Sequence, residues 1–197
     1  MGVVTALVVF CHPKPDAPAQ GLLEAAVGGL SDAGHAVEVI DLYRDAFDAA
    51  LSIDEWHAYT TPRIQPGEPR YAEMLGRADV LAFVFPMWWS GPPSMLKGFF
   101  DRVLVPGVAF DLADTGRVRP GLRHVRRIVV VTAAEAPGNF PHRSTRPLAQ
   151  AVGRSLRRAT GWRTRTTTIW AGPSDAADAD DWTKFLARIR RRLAGLR

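Results

Sequence analysis

The segment Phe85-Pro86-Met87-Trp88-Trp89-Ser90-Gly91-Pro92-Pro93 sets two adjacent tryptophans among prolines, directly after an apolar run. Two indole rings at the exit of a buried strand can flank a planar ligand, and a backbone stiffened by proline can aim its N–H groups at the polar edge of a ring. The competing use is structural, with one tryptophan packed into the core and the other covering the sheet end. A second cluster lies nearer the N-terminus. His12 and Lys14 precede a helical stretch beginning near Ala19 and Gln20, and the free N–H groups and dipole of a helix start favour an anion such as a phosphate. Neither Gly-rich nucleotide fingerprint follows Cys11, which argues against an ordinary Rossmann site or P-loop. The plainer reading is that Pro13, Pro15 and Pro18 stiffen a turn and His12 sits at the surface.

Both clusters need a scaffold, and the apolar periodicity supplies one. Strand-length apolar runs occur at 6–11, 37–42, 80–85 and 128–132, and an alternating stretch at 164–169. Helical spacing occupies 20–33, 71–76, 93–104, 147–160 and 178–196, with a short helix near 54–59 inside a long loop from Tyr43 to Arg70. Gly34 reads as a left-handed cap closing the first helix. Strands that alternate with helices predict an α/β fold, a doubly wound parallel sheet of five strands covered on both faces. Ligands bind such sheets beyond the carboxyl ends of the strands. The segments 12–19, 86–92 and 132–141 leave strands at that end and are expected to line one crevice.

The 197 residues carry no linker rich in Gly, Pro and Ser, so a single domain over 1–197 is expected. The net charge of +5 hides an imbalance: residues 1–122 hold 9 basic and 15 acidic side chains, and 123–197 hold 16 and 5. Arg154, Arg157 and Arg158 on one helix and Arg188, Arg190, Arg191 and Arg192 on the next raise nucleic acid as a partner. No aromatic interleaving accompanies them, and a solvated basic face is the expectation, with no nucleic-acid partner. One cysteine, Cys11, allows no intrachain disulfide, and no Cys or His spacing fits a metal site. The N-terminus runs straight into a strand pattern, so no export signal is expected and a cytoplasmic location fits. The longest apolar runs fall well short of the roughly 20 residues a membrane helix needs. No span is expected, with peripheral association left open.

The run from Phe85 to Val103, with Leu96-Lys97-Gly98-Phe99-Phe100-Asp101-Arg102-Val103 after the paired tryptophans, resembles the signature of the NAD(P)H:quinone reductases of flavodoxin-like fold. Val8-Val9-Phe10-Cys11-His12-Pro13 and Asp41-Leu42-Tyr43 match the same family in place and order. The resemblance implies strand order 2-1-3-4-5 and a homodimer. It implies a tightly bound flavin, FAD or FMN, reduced by hydride from NADPH or NADH and reoxidised by a quinone-like acceptor. Pro86, Met87, Trp88, Trp89 and Ser90 would then hold the flavin ring, largely through backbone. His12, Lys14, Ala17, Ala19 and Gln20 would face its phosphate end, and Thr132, Ala133, Ala134, Glu135 and Phe140 its other wall.

The chain departs from the family at three places. Ala17-Pro18-Ala19 replaces a segment that brings a hydroxyl and an extra N–H to the phosphate. Thr132-Ala133-Ala134-Glu135-Ala136-Pro137-Gly138 replaces a Gly-rich turn. The catalytic tyrosine of the family falls on Phe140, whose ring donates no hydrogen bond; His142 or Arg143 is the candidate replacement, and His142 and Trp89 are taken as the catalytic pair. The alternative is an ancillary subunit that keeps the fold with little turnover, as such proteins do for a potassium efflux system.

Overall fold

In a computed structural model, residues 4–14, 18–59, 69–112, 117–134, 145–172, 175 and 178–196 are described. Five parallel strands form the central sheet: β1 (Thr5–Phe10), β2 (Ala36–Asp41), β3 (Val80–Met87), β6 (Arg127–Ala134) and β7 (Arg165–Ala171). Their order is β2-β1-β3-β6-β7. Counted among themselves this is the expected 2-1-3-4-5. The labels β4 (Phe110–Leu112) and β5 (Val118–Pro120) belong to a small antiparallel pair outside the main sheet, which periodicity did not indicate because each strand has only three residues.

All eight residues of β3 are buried. Alternation sends Leu81, Phe83, Phe85 and Met87 to one face and Val80, Ala82 and Val84 to the other. The first face is covered by α3 (Pro69–Arg77), α4 (Ser94–Val103) and α5 (Thr145–Thr160) through Tyr71, Leu75, Leu96, Phe99 and Leu156. The second is covered by α1 (Pro18–Asp32) and α6 (Ala179–Ala194) through Leu22, Leu30, Phe185 and Ile189. The arginines of α5 and α6 are therefore divided between opposite faces and form no single stripe. Those of α6 also hold ion pairs, Arg190 with Asp32 at 2.7 Å and Arg188 with Asp175 at 2.9 Å.

The end of β3 differs from the sequence expectation. Pro86 and Met87, read as the start of a loop, continue the ladder opposite Ala133 and Ala134. Cys11 N–H donates to the Val84 carbonyl at 3.0 Å, so Val84 and Pro86 direct their backbone polar groups toward β1. The β1 register ends at Phe10 opposite Val84, and proline at 86 removes no ladder bond on that edge.

The long loop after β2 is tied to α4. It contains α2 (Ile53–Ala58), started by a capping box in which Ser52 Oγ accepts from Glu55 N–H and Glu55 Oε2 accepts from Ser52 N–H at 2.8 Å. The remaining Glu55 oxygen accepts from Arg102 Nε at 2.8 Å, and Arg102 Nη1 donates to the Asp48 carbonyl. The guanidinium lies over the Phe47 ring, 5.5 Å from its centroid. Gly98 completes the fastening, because a Cβ there would come within 2.6 Å of Ala49 Cα.

Only 10% of the Arg102 side chain and 19% of the Glu55 side chain are exposed, so this is not a screened surface pair. Burial opposes the Glu55 charge, but hydrogen bonds from Arg102 and Ser52 outweigh it and hold the carboxyl below its usual value. A depressed folded pKa contributes stability above the unfolded pKa that is lost as pH falls through the folded one. Arg102→Ala is expected to lower unfolding stability by about 3 kcal/mol at neutral pH, since it strands a largely buried carboxylate. Urea denaturation at neutral and acid pH checks this: the difference between wild type and variant should shrink in acid, and a constant difference would contradict the ion pair as its source.

Candidate functional site

The carboxyl ends of β1, β3 and β6 carry the predicted site residues. At the end of β3 the chain reverses in a two-residue hairpin: Trp88 N–H donates to the Gly91 carbonyl at 3.1 Å and Gly91 N–H donates back at 2.9 Å. The two residues between them are Trp89 and Ser90, with φ of 49° and 60°. Two successive positive φ values are the pattern of a type I′ turn, which normally carries Asn-Gly. A tryptophan and a serine there cost on the order of 1–2 kcal/mol each. The reversal occupies the N–H groups of Trp88 and Gly91, and those of Trp89 and Ser90 take no part in it. The prolines at 86, 92 and 93 made a rigid exit legible; the left-handed pair was not, because neither residue type favours that conformation.

The two tryptophans have separate environments. Trp89 is 94% exposed, whereas Trp88 is half-buried with its ring 6.0 Å from that of His12. His12 is buried, contrary to the plainer surface reading, and its Nδ1 is hydrogen-bonded to the Lys14 backbone, 2.9 Å from O and 3.1 Å from N. The structure thus joins the first and third loops through His12 and Trp88. Lys14 is exposed beside them.

Ala19 does not present its side chain to this site; it is 2% exposed and packs in the core with Leu22 and Phe10. Only its backbone can serve a ligand. Pro18 is the first residue of α1, where a missing N–H breaks no helical bond but removes one donor from the helix start. Gln20 is half-buried, its amide 3.5 Å from Glu24 Oε1. His12, Gln20, Asp41, Tyr43 and Arg44 line a cleft of about 1100 Å³ between α1 and the end of β2. Asp41 braces that rim by accepting from the N–H groups of Tyr43 and Arg44 at 3.2 and 3.1 Å. Asp41 and Tyr43 were matched to the family by sequence but not assigned to a site.

On the other side, Thr132 and Ala133 are buried at the end of β6. Thr132 Oγ1 has no hydrogen-bond partner among the described residues, nor has Trp170 Nε1 on the next strand, whose residue is its register partner. Ala134 is described through its backbone pairing with Met87. Ala17, Glu135, Phe140, His142 and Arg143 lie outside the described residues. Burial pushes the Cys11 thiol up to about 12, which opposes thiolate formation.

Beyond the hairpin lies an apolar cleft of about 550 Å³ between α4 and α5, lined by Ser90, Gly91, Pro92, Phe100, Phe110 and Leu156 among others. This region therefore presents a polar cleft at His12 and Gln20, the Trp89-Ser90 hairpin, and a separate apolar cleft beyond it. That sequence of environments fits a ligand with a flat ring at one end and an anionic group at the other. Among the described residues no group of His, Cys, Asp and Glu is arranged to hold a metal, and no helix is long and apolar enough to cross a membrane.

The family model for the flavodoxin-like fold matches residues 5–193. NAD(P)H dehydrogenase [quinone] 1 of Rattus norvegicus is 32% identical over 130 residues, covering 57% of this chain and 47% of that protein. Ribosyldihydronicotinamide dehydrogenase [quinone] of the same organism is 32% identical over 123 residues, 54% of this chain and 53% of that one. The chain spans about half the length of these curated relatives. Among solved structures, an NAD(P)H:quinone oxidoreductase from Methanothermobacter marburgensis superposes with a TM-score of 0.78 at 30% identity, covering 99% of this chain and 98% of that one.

If the hairpin is strained as its dihedrals indicate, Ser90→Gly should raise unfolding stability by about 1 kcal/mol. Urea denaturation measures it; an unchanged or lower midpoint would show that the left-handed conformation stores no strain.

Proposed function

The chain belongs to the flavodoxin-like fold family, and we propose that it is a flavin-dependent NAD(P)H oxidoreductase passing a hydride from NADPH or NADH, by way of FAD or FMN, to a quinone-like acceptor. The observation that carries this reading is the Trp89-Ser90 hairpin, a strained reversal whose own hydrogen bonds use the N–H groups of Trp88 and Gly91 and not those of Trp89 and Ser90. Strain of this kind persists where the surrounding structure over-determines it, commonly at ligand sites.

In this reading the backbone of Met87, Trp88, Trp89 and Ser90, following Pro86, flanks the flavin ring. The N–H groups of Trp89 and Ser90 would meet the ring edge that gains negative charge, as fixed donors that need no reorganisation. His12, Lys14, Gln20 and the backbone of Ala19 would hold the phosphate end, and Thr132, Ala133 and Ala134 the opposing wall; Ala17, Glu135 and Phe140 are assigned to those two places by the sequence resemblance alone. When bound, the flavin supplies two-electron hydride transfer in two half-reactions, and the chain supplies position and electrostatics. Trp89 would cover the ring, and His142, assigned by the sequence resemblance alone, would hold the proton that Phe140 has no group to donate. The apolar cleft at Pro92 and Phe100 suits a quinone-like acceptor. A second copy of the chain is the natural cover for Trp89, since an indole 94% exposed leaves a large apolar surface in water.

A second reading is an ancillary subunit with little turnover. It draws on the run Thr132-Ala133-Ala134-Glu135-Ala136-Pro137-Gly138, which replaces the Gly-rich turn of the family and adds a carboxylate, and on Pro18, which removes a donor from the start of α1.

The purified protein is expected to be yellow, to bleach anaerobically on addition of NADPH or NADH, and to regain its colour with a quinone. Heat release and chromatography identify the flavin. A protein that takes up neither FAD nor FMN would sink the proposal, and a flavoprotein that bleaches but does not turn over quinones would favour the ancillary reading.

A further inference from the structure

The opposite end of the sheet, where β3, β6 and β7 begin, holds a different concentration of chemistry. A pocket of about 550 Å³ opens there, lined by Arg123, Arg126, Arg127, Arg163 and Arg165 together with Asp79. Asp79 is the acid among the residues lining it, against five guanidiniums. Its carboxylate is already engaged, with Oδ2 accepting from Thr5 N–H at 3.1 Å and Oδ1 4.0 Å from Arg126 Nε.

The backbone beneath these arginines is locked. Arg126 N–H donates to the Asp79 carbonyl at 2.8 Å, Arg165 N–H to the Arg126 carbonyl at 3.0 Å, and Thr164 Oγ1 to the Val125 carbonyl at 3.0 Å. Arg123 sits in a turn closed by Val125 N–H on the Leu122 carbonyl at 3.1 Å, and that turn is held to α5 by Leu122 N–H on the Ala159 carbonyl. Arg127 and Arg165 are register partners on adjacent strands, so their side chains leave the sheet on the same face. Helices α3 and α5 end on this side, and their dipoles attract cations, but that attraction fades within the last helical turn. It does not account for arginines placed at the first rungs of two strands.

We propose that this pocket is a second ligand site, distinct from the carboxyl-end crevice, and that it takes a small polyphosphate anion. Planar guanidiniums pair bidentately with phosphoryl oxygens, which sets phosphate apart from chloride or a lone carboxylate. A net of four positive charges calls for a ligand with several negative ones, and a phosphate chain delivers them within one concave pocket. The proposal is independent of what the carboxyl end binds.

The test is calorimetric titration of the full chain, as purified, with inorganic pyrophosphate at low ionic strength. Inorganic phosphate and ATP run in parallel, and Arg123→Ala and Arg165→Ala are tested alongside Lys14→Ala. Neither Arg123 nor Arg165 has an ion pair among the described residues, so their removal should leave the melting temperature and the bound flavin unchanged. Saturable pyrophosphate binding is expected, tighter than phosphate and roughly tenfold weaker for each arginine removed. Equal affinities for pyrophosphate and ATP would identify the phosphate chain as the whole ligand, and tighter ATP binding a nucleoside polyphosphate; both support the site. Three outcomes overturn it: no pyrophosphate binding, binding that survives both arginine variants but is lost in Lys14→Ala, or retention on anionic vesicles or duplex DNA without pyrophosphate binding.

Discussion

Everything at the carboxyl end depends on the complete burial of Val80–Met87. A strand enclosed on both faces and paired on both edges has no freedom to wander as it emerges, and its last residue fixes where the chain meets solvent. The chain must also turn back within a few residues, because α4 begins at Ser94 and lays Leu96, Phe99 and Val103 on the face that β3 has just left. The tight hairpin at Trp88–Gly91 is the short solution to that geometry, and its unusual backbone follows from how little chain is available.

Much of this was legible in the sequence, and the unread parts have physical reasons. The strands were visible because buried parallel strands are continuous apolar runs, and the order of the sheet came with the resemblance carried by Phe85 to Val103. The proline boundary at 86 misled because proline usually ends a strand; here it lies past the end of the neighbouring strand on the edge where its N–H is missing. The conformation of Trp89 and Ser90 was hidden because type I′ turns are recognised by Asn and Gly, and the sequence offers neither at those positions. Arg102 illustrates a different limit. It belongs to the stretch that carries the resemblance, yet it points to Glu55, Asp48 and Phe47 rather than to the crevice. A signature records what a fold requires without distinguishing contact with a ligand from support of the wall that makes contact.

The two ends of the sheet are chemically opposite. At the carboxyl end, helix starts, backbone donors and a few polar side chains meet apolar walls. The amino end gathers arginines from two short stretches of sequence, 123–127 and 163–165, around one carboxylate. The charge imbalance between the two halves of the chain becomes spatial through this topology, since β6 and β7 begin side by side and the late, arginine-rich part of the sequence supplies both entrances.

Gly98 lies four residues inside α4, facing away from the crevice, with the backbone of Ala49 pressed against it. A helix that starts three residues after the hairpin is thereby seated on a loop laid down some fifty positions earlier in the chain. The loop and the glycine are mutational hostages to each other: a side chain can be accepted at 98 only after Asp48-Ala49-Ala50 has withdrawn, and once it has withdrawn the Arg102 clamp lets go as well. Drift at Asp48-Ala49-Ala50 is thus held in check by the helix behind the hairpin.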